Sequence, residues 1–148
     1  MNPESLSSIA EFLNAAGWNY SVFLHAYALP SVAGAPSEQI IANALGSTVV
    51  VADLKVVTAP EVVSEVEASI SYAGDSGAGP DPASLQSERF AELLSGLLKE
   101  TETVARGADR IEQFRFKDGH PAYPVFWDFA FLFVGPVESV VLVGSSSD

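Results

Sequence analysis

The stretch from Tyr123 to Gly144 limits the choice of fold more than any other. It reads Tyr-Pro-Val-Phe-Trp-Asp-Phe-Ala-Phe-Leu-Phe-Val, then Gly135-Pro136, then Val140-Val141-Leu142-Val143. In an extended chain successive side chains point to opposite faces. One face of the first arm would carry Tyr123, Val125, Trp127, Phe129, Phe131 and Phe133, and the other Phe126, Asp128, Ala130, Leu132 and Val134. Both are apolar except at Asp128, which is the pattern of a central strand covered on two sides. Gly135-Pro136 supplies a turn, and the β-branched run after it a partner arm.

Periodicity places the elements upstream. Leu6, Ile9, Phe12 and Leu13 form one helical stripe over residues 3–16, closed by Gly17. Residues 19–29 alternate Tyr20, Val22, Leu24 and Ala26 against Ser21, Phe23, His25 and Tyr27, which favours a strand over a helical continuation. Residues 31–36 read as loop, residues 37–45 as a short helix, and residues 48–57 as a β-branched strand. Residues 62–73 carry two patterns at once. Thr58-Ala59-Pro60-Glu61 matches a capping box ahead of the stripe Val62, Val63, Val66 and Ile70. Strict alternation over the same residues tips the reading toward a half-exposed strand paired with residues 48–57.

Residues 74–82 are a mobile loop by composition and lack the Gly-Lys-Ser/Thr of a phosphate-binding loop. Residues 84–104 give the longest helix, and residues 110–117 a strand with one basic face. Asp118-Gly119 turns that strand into the next, so the last three strands form an antiparallel meander. The predicted fold is one α+β domain over residues 1–148, an antiparallel sheet of about five strands covered on one face by two or three helices. This order of elements is similar to that of type III secretion chaperones and profilin-like modules, and no motif accompanies the likeness.

The formal charge is −12, from 19 acidic and 7 basic residues, and it is unevenly spread. Residues 1–54 contain no Lys or Arg, and six of the seven basic residues fall between Arg89 and Lys117. Such a surface repels nucleic acid and anionic lipid and attracts basic proteins. The chain has no cysteine, and at 148 residues it is long enough to bury a core without a disulfide or metal staple. Mean hydropathy is +0.25. No window reaches the ~18 uninterrupted apolar residues of a membrane span, so the apolar surplus goes to a core or an interface. The first residues lack the features of a signal peptide, and a cytoplasmic location is expected.

Asp128 is a carboxylate among aromatic and aliphatic neighbours, and inside a core it would need a donor or a proton. Arg115 on the preceding strand is the expected partner, ahead of Arg110 and Lys117. His25 and His120 have no second His or Cys at ligand spacing, so no metal is expected. There is no Gly-x-Ser-x-Gly for a serine hydrolase, and Gly144-Ser145-Ser146-Ser147-Asp148 reads as a frayed polar tail. No cofactor motif is present. Arg110, Arg115 and Lys117 near Tyr123 form the one candidate nucleic-acid face, which the overall charge opposes.

Two functional readings compete. One is a non-catalytic cytosolic module that presents an acidic surface to a basic partner protein, as immunity proteins and small acidic secretion chaperones do, with no nucleic acid or membrane involved. The other is a small enzyme or ligand-binding domain with an aromatic pocket between sheet and long helix, built on Tyr123, Trp127, Asp128 and His120, with Arg115 alongside. Self-association as a homodimer is a third use for the apolar content.

Overall fold

The computed structural model describes residues 1–75 and 77–148. Strands β3 (Arg110–Asp118), β4 (Trp127–Val134) and β5 (Glu138–Ser147) form the predicted meander at the middle of one sheet. β1 (Ser21–Pro30) adds to β5 and β2 (Val50–Val56) adds to β3, giving the order β1-β5-β4-β3-β2 with every pair antiparallel. The turn at Gly135-Pro136 sets the register from Trp127↔Ser146 to Val134↔Ser139. The first arm of this hairpin begins at Trp127 rather than Tyr123.

Because β1 and β2 are opposite edges, the chain between them must cross the sheet. Helix α2 (Ser37–Leu45) makes that crossing. Its Ile40 and Ile41 bury against Phe114, Ala130, Leu132, Val141 and Val143, each contributing about 1.5–3 kcal/mol. Helices α1 (Pro3–Ala15), α3 (Ala59–Ile70) and α5 (Glu88–Gly107), with the single turn α4 (Pro82–Leu85), lie on the other face. There Leu6, Ile9, Val62, Val66 and Leu97 meet Phe129, Phe131, Phe133 and Leu142. Helix α5 is central in this layer, packing on both α1 and α3.

The protein is thus α+β, with five helices and a five-stranded antiparallel sheet. Helices cover both faces, where element order alone suggested one. The two apolar faces of β4 require it, since neither tolerates being wholly wet. Among the described residues, no helix is long and apolar enough to cross a membrane.

Two local expectations are corrected. Residues 59–70 are helix, not a strand beside residues 48–57. The backbone N–H and the hydroxyl of Thr58 both donate to Glu61 Oε2 at 2.7 Å, which satisfies groups a helix start would leave open. Val62, Val66 and Ile70 are then fully buried. A strand there would have to pair with β2, which gives one side to β3 and is broken by an irregularity around Asp53, where φ is +55°. The C-terminal serines are not frayed either. Ser145 and Ser146 are 1% exposed, inside a strand paired on both sides.

Ser76, within the segment read as a mobile loop, lies outside the described residues. Beyond it, Gly79 and Trp18 exchange two backbone hydrogen bonds of 2.9 Å, tying residues 77–82 to the α1–β1 connection.

Candidate interaction surfaces

Strand alternation separates the residues that an aromatic pocket would join. Trp127 turns toward the three-helix layer, where its indole N–H donates to the Tyr20 hydroxyl at 2.9 Å and its ring stacks on Phe129 at 5.8 Å. Phe129 is buried, and its ring occupies the space that a side chain at Gly144 would take. This region is packed core. Asp128 points to the opposite face, is exposed, and enters none of the ion pairs found among the described residues. Arg115 instead lies 3.8 Å from Asp53 of β2, with both side chains largely in solvent. The expected Arg115–Asp128 pair fails because the β3–β4 ladder ends at Gln113↔Phe131, short of either residue. Tyr123 is 89% exposed in the connection ahead of β4.

His120 and Asp128 do come to the same side of the sheet. The His120 ring lies 4.3 Å from that of Phe116, and its Nδ1 accepts the Ala122 N–H at 2.9 Å. The neutral ring therefore carries its proton on Nε2, which is buried without a partner. Burial pushes the imidazole pKa below its usual value, against a weaker upward pull from the Asp128 carboxylate. Neither His120 nor Asp128 is hydrogen-bonded to another side chain among the described residues. Among the described residues, no three His, Cys, Asp or Glu side chains are placed to hold a metal.

A cleft of about 540 Å³ opens at one end of the sheet, between residues 31–37 and the β4–β5 turn. Its wall is tied together internally. Arg110 Nη2 donates to Ser37 Oγ at 3.1 Å, the Ser37 hydroxyl donates to Glu112, and the guanidinium lies 3.5 Å from the Glu112 carboxylate. An incoming anion would have to displace those bonds.

Two surfaces are assembled more completely. The first is the outer side of the three-helix layer. It gathers Glu4 and Glu11 from α1, Glu61, Glu65 and Glu67 from α3, and Glu88, Glu92, Glu100 and Glu102 from α5. All are exposed except Glu100 and Glu102, which are half-buried, and Glu100 accepts from the Asn2 N–H and the Ser5 hydroxyl. On the helices themselves three cations oppose these glutamates, Arg89, Lys99 and Arg106, and two of the three are held on α5 by Glu92 at 3.4 Å and Glu102 at 2.6 Å. Lys55 of β2 adds a fourth beside Glu61 and Glu65. Helix α3 carries no cation. Hydrogen bonds from Thr58 hold the Glu61 carboxyl below its ordinary range, so it stays charged. The excess of acid was legible in the sequence, but its concentration on one layer follows from three separate helices sharing a face.

The second surface is the outer edge of β1, whose residues Ser-Val-Phe-Leu-His-Ala-Tyr-Ala-Leu-Pro include no Asp, Glu, Lys or Arg. At its start Asn14 Nδ2 donates to the Val22 carbonyl at 3.2 Å, and the Val22 N–H donates to Asn14 Oδ1 at 2.6 Å. Both backbone groups of Val22 thus face away from β5. Alternation turns those of Leu24, Ala26 and Ala28 the same way, and among the described residues they meet no partner. Phe23, His25 and Tyr27 form a ladder of rings on the α2 side, with centroids 6.2 and 4.4 Å apart. Neither a protein-family model, a curated protein nor a solved structure matches this chain.

Proposed function

We propose that the protein is a non-catalytic, cytosolic binding module whose helical layer receives a basic partner protein, as the acidic faces of immunity proteins and small secretion chaperones do. The observation that carries this reading is the gathering of nine glutamates on α1, α3 and α5 against three cations on those helices and Lys55 beside α3. A one-sign field raises the rate of encounter with an oppositely charged protein, and salt weakens it. Glu65 and Glu67 are exposed and enter none of the ion pairs found among the described residues, which leaves them available to a partner's cations.

The test is capture from lysate on the immobilised chain, followed by association rates for each captured protein. A basic partner should associate about tenfold or more slowly at physiological salt than at low salt. The double variant Glu65→Gln, Glu67→Gln should slow it further at low salt. A captured partner indifferent to both salt and the two substitutions would overturn the reading.

A further inference from the structure

The two edges of the sheet are built differently. β2 is short, carries Asp53 and Lys55, and is irregular at Asp53, all of which discourage pairing with another chain. β1 has ten residues, no charged side chain, and a backbone register unbroken from Ser21↔Ser147 to Pro30↔Glu138. An edge of this kind is a template for one more strand.

The pattern of open groups says which strand. The outward-facing positions are Val22, Leu24, Ala26, Ala28 and Pro30. Val22 is already occupied by Asn14, and Pro30 has no N–H to offer. What remains free is centred on Ala26, with one blocked position four residues away on each side. An antiparallel copy of the same segment is its own complement about that centre. We propose that β1 pairs with β1 of a second copy about a two-fold axis at Ala26, joining the two sheets into one. Ala26 then exchanges both its hydrogen bonds with Ala26 of the partner subunit, and Leu24 exchanges with the partner's Ala28 in both directions. Val22 falls opposite the partner's Pro30, so the two blocked positions meet each other, and only the Pro30 carbonyl at each end of the pairing is left to water. On the α2 side His25 stands opposite the partner's Tyr27, extending the ring ladder across the axis. The absence of charge on β1 suits this occupant. A basic peptide would find no carboxylate along the strand itself, whereas an identical strand needs none. The proposal rests on the edge alone and is independent of what the acidic layer binds.

Sedimentation velocity over a range of concentrations is the first test, and the parent chain should show a concentration-dependent dimer. Ala26→Pro removes an N–H that points away from β5 and leaves the β1–β5 ladder intact. It should weaken dimerisation about tenfold or more while circular dichroism is unchanged. Because the chain has no cysteine, single introduced thiols report the register. Ala26→Cys should cross-link readily on oxidation, since two copies of that position meet at the axis. Ala28→Cys should not, since its counterpart lies four residues along the partner strand. A parent that stays monomeric at every concentration, a folded Ala26→Pro variant that dimerises as well as the parent, or equal cross-linking at both positions would overturn the proposal.

Discussion

Asp128 and Gly144 occupy adjacent rungs of the β4–β5 ladder, where Asp128 pairs with Ser145 and Phe129 with Gly144. Residue type alone misjudges both. The carboxylate reads as a buried group in need of a cation, yet the side chain is exposed and water solvates it. Asp128→Asn should therefore change stability by less than about 0.5 kcal/mol. Gly144 looks like a tail residue, yet the Phe129 ring fills the place of its missing side chain. Gly144→Ala forces that ring and its stacking partners Trp127 and Phe131 to move, and should cost about 1–3 kcal/mol. Urea denaturation of the two variants checks the pair. A large loss for Asp128→Asn would mean that its carboxylate is held by a partner after all, and no loss for Gly144→Ala would mean that the core there is loose. The alternation of β4 told which face each residue took. Whether a side chain on that face reaches water at a given rung depends on what packs around it, and that is not written in the strand.

Helix α3 shows the same limit at the scale of an element. Its residues satisfy a helical stripe and a strand alternation together, because small residues such as Ser64 and Ala68 suit either. The deciding signal was present in Thr58 and Glu61, whose contacts fix the first turn, and the availability of a partner strand was not. The cap also gives α3 a defined pH response. The folded-state pKa of Glu61 lies below its ordinary value of 4.5, chiefly through its bonds with Thr58. The unfolded chain therefore takes up the proton first as pH falls, and the contribution of the cap, complete above about 4.5, is lost as pH drops through the lower folded value. Protection against amide exchange in the first turn of α3, taken relative to the intrinsic rate at each pH, should fall over that range in the parent. Glu61→Gln should flatten the response. An α3 exchange profile with the same pH dependence in both proteins would show that Glu61 is not what holds the turn. The five strands, by contrast, were legible except at their ends, since β-branched and aromatic runs leave little choice of periodicity.

For the whole molecule the question is whether local ion pairs offset a net charge of −12. The four salt bridges found among the described residues join Arg89–Glu92 and Arg106–Glu102 within α5, Arg110–Glu112 within β3, and Arg115–Asp53 between β3 and β2. Each has at least one substantially exposed partner, so each contributes about 0–1 kcal/mol. None bridges the helices of the acidic layer. Glu100 of α5 accepts hydrogen bonds from the Asn2 N–H and the Ser5 hydroxyl at the start of α1. No ion pair relieves the remaining repulsion among those helices, and folding brings the charges closer than they are in the unfolded chain. Screening should then stabilise the fold. Raising NaCl from about 0.01 M to about 0.15 M shortens the Debye length from roughly 30 Å to roughly 8 Å, and Tm should rise across that interval. Sodium chloride is the salt to use, because sulfate stabilises proteins by exclusion and would mimic the effect. The comparison should be made on the Ala26→Pro variant as well as the parent, so that any dimer formed through β1 does not add its own salt dependence. Glu65→Gln with Glu67→Gln should melt higher than the parent at low salt and gain less from added NaCl. If Tm falls as NaCl is added, attractive pairs outweigh repulsion in the folded state, and the acidic layer would not be the uncompensated field on which recognition of a basic partner depends.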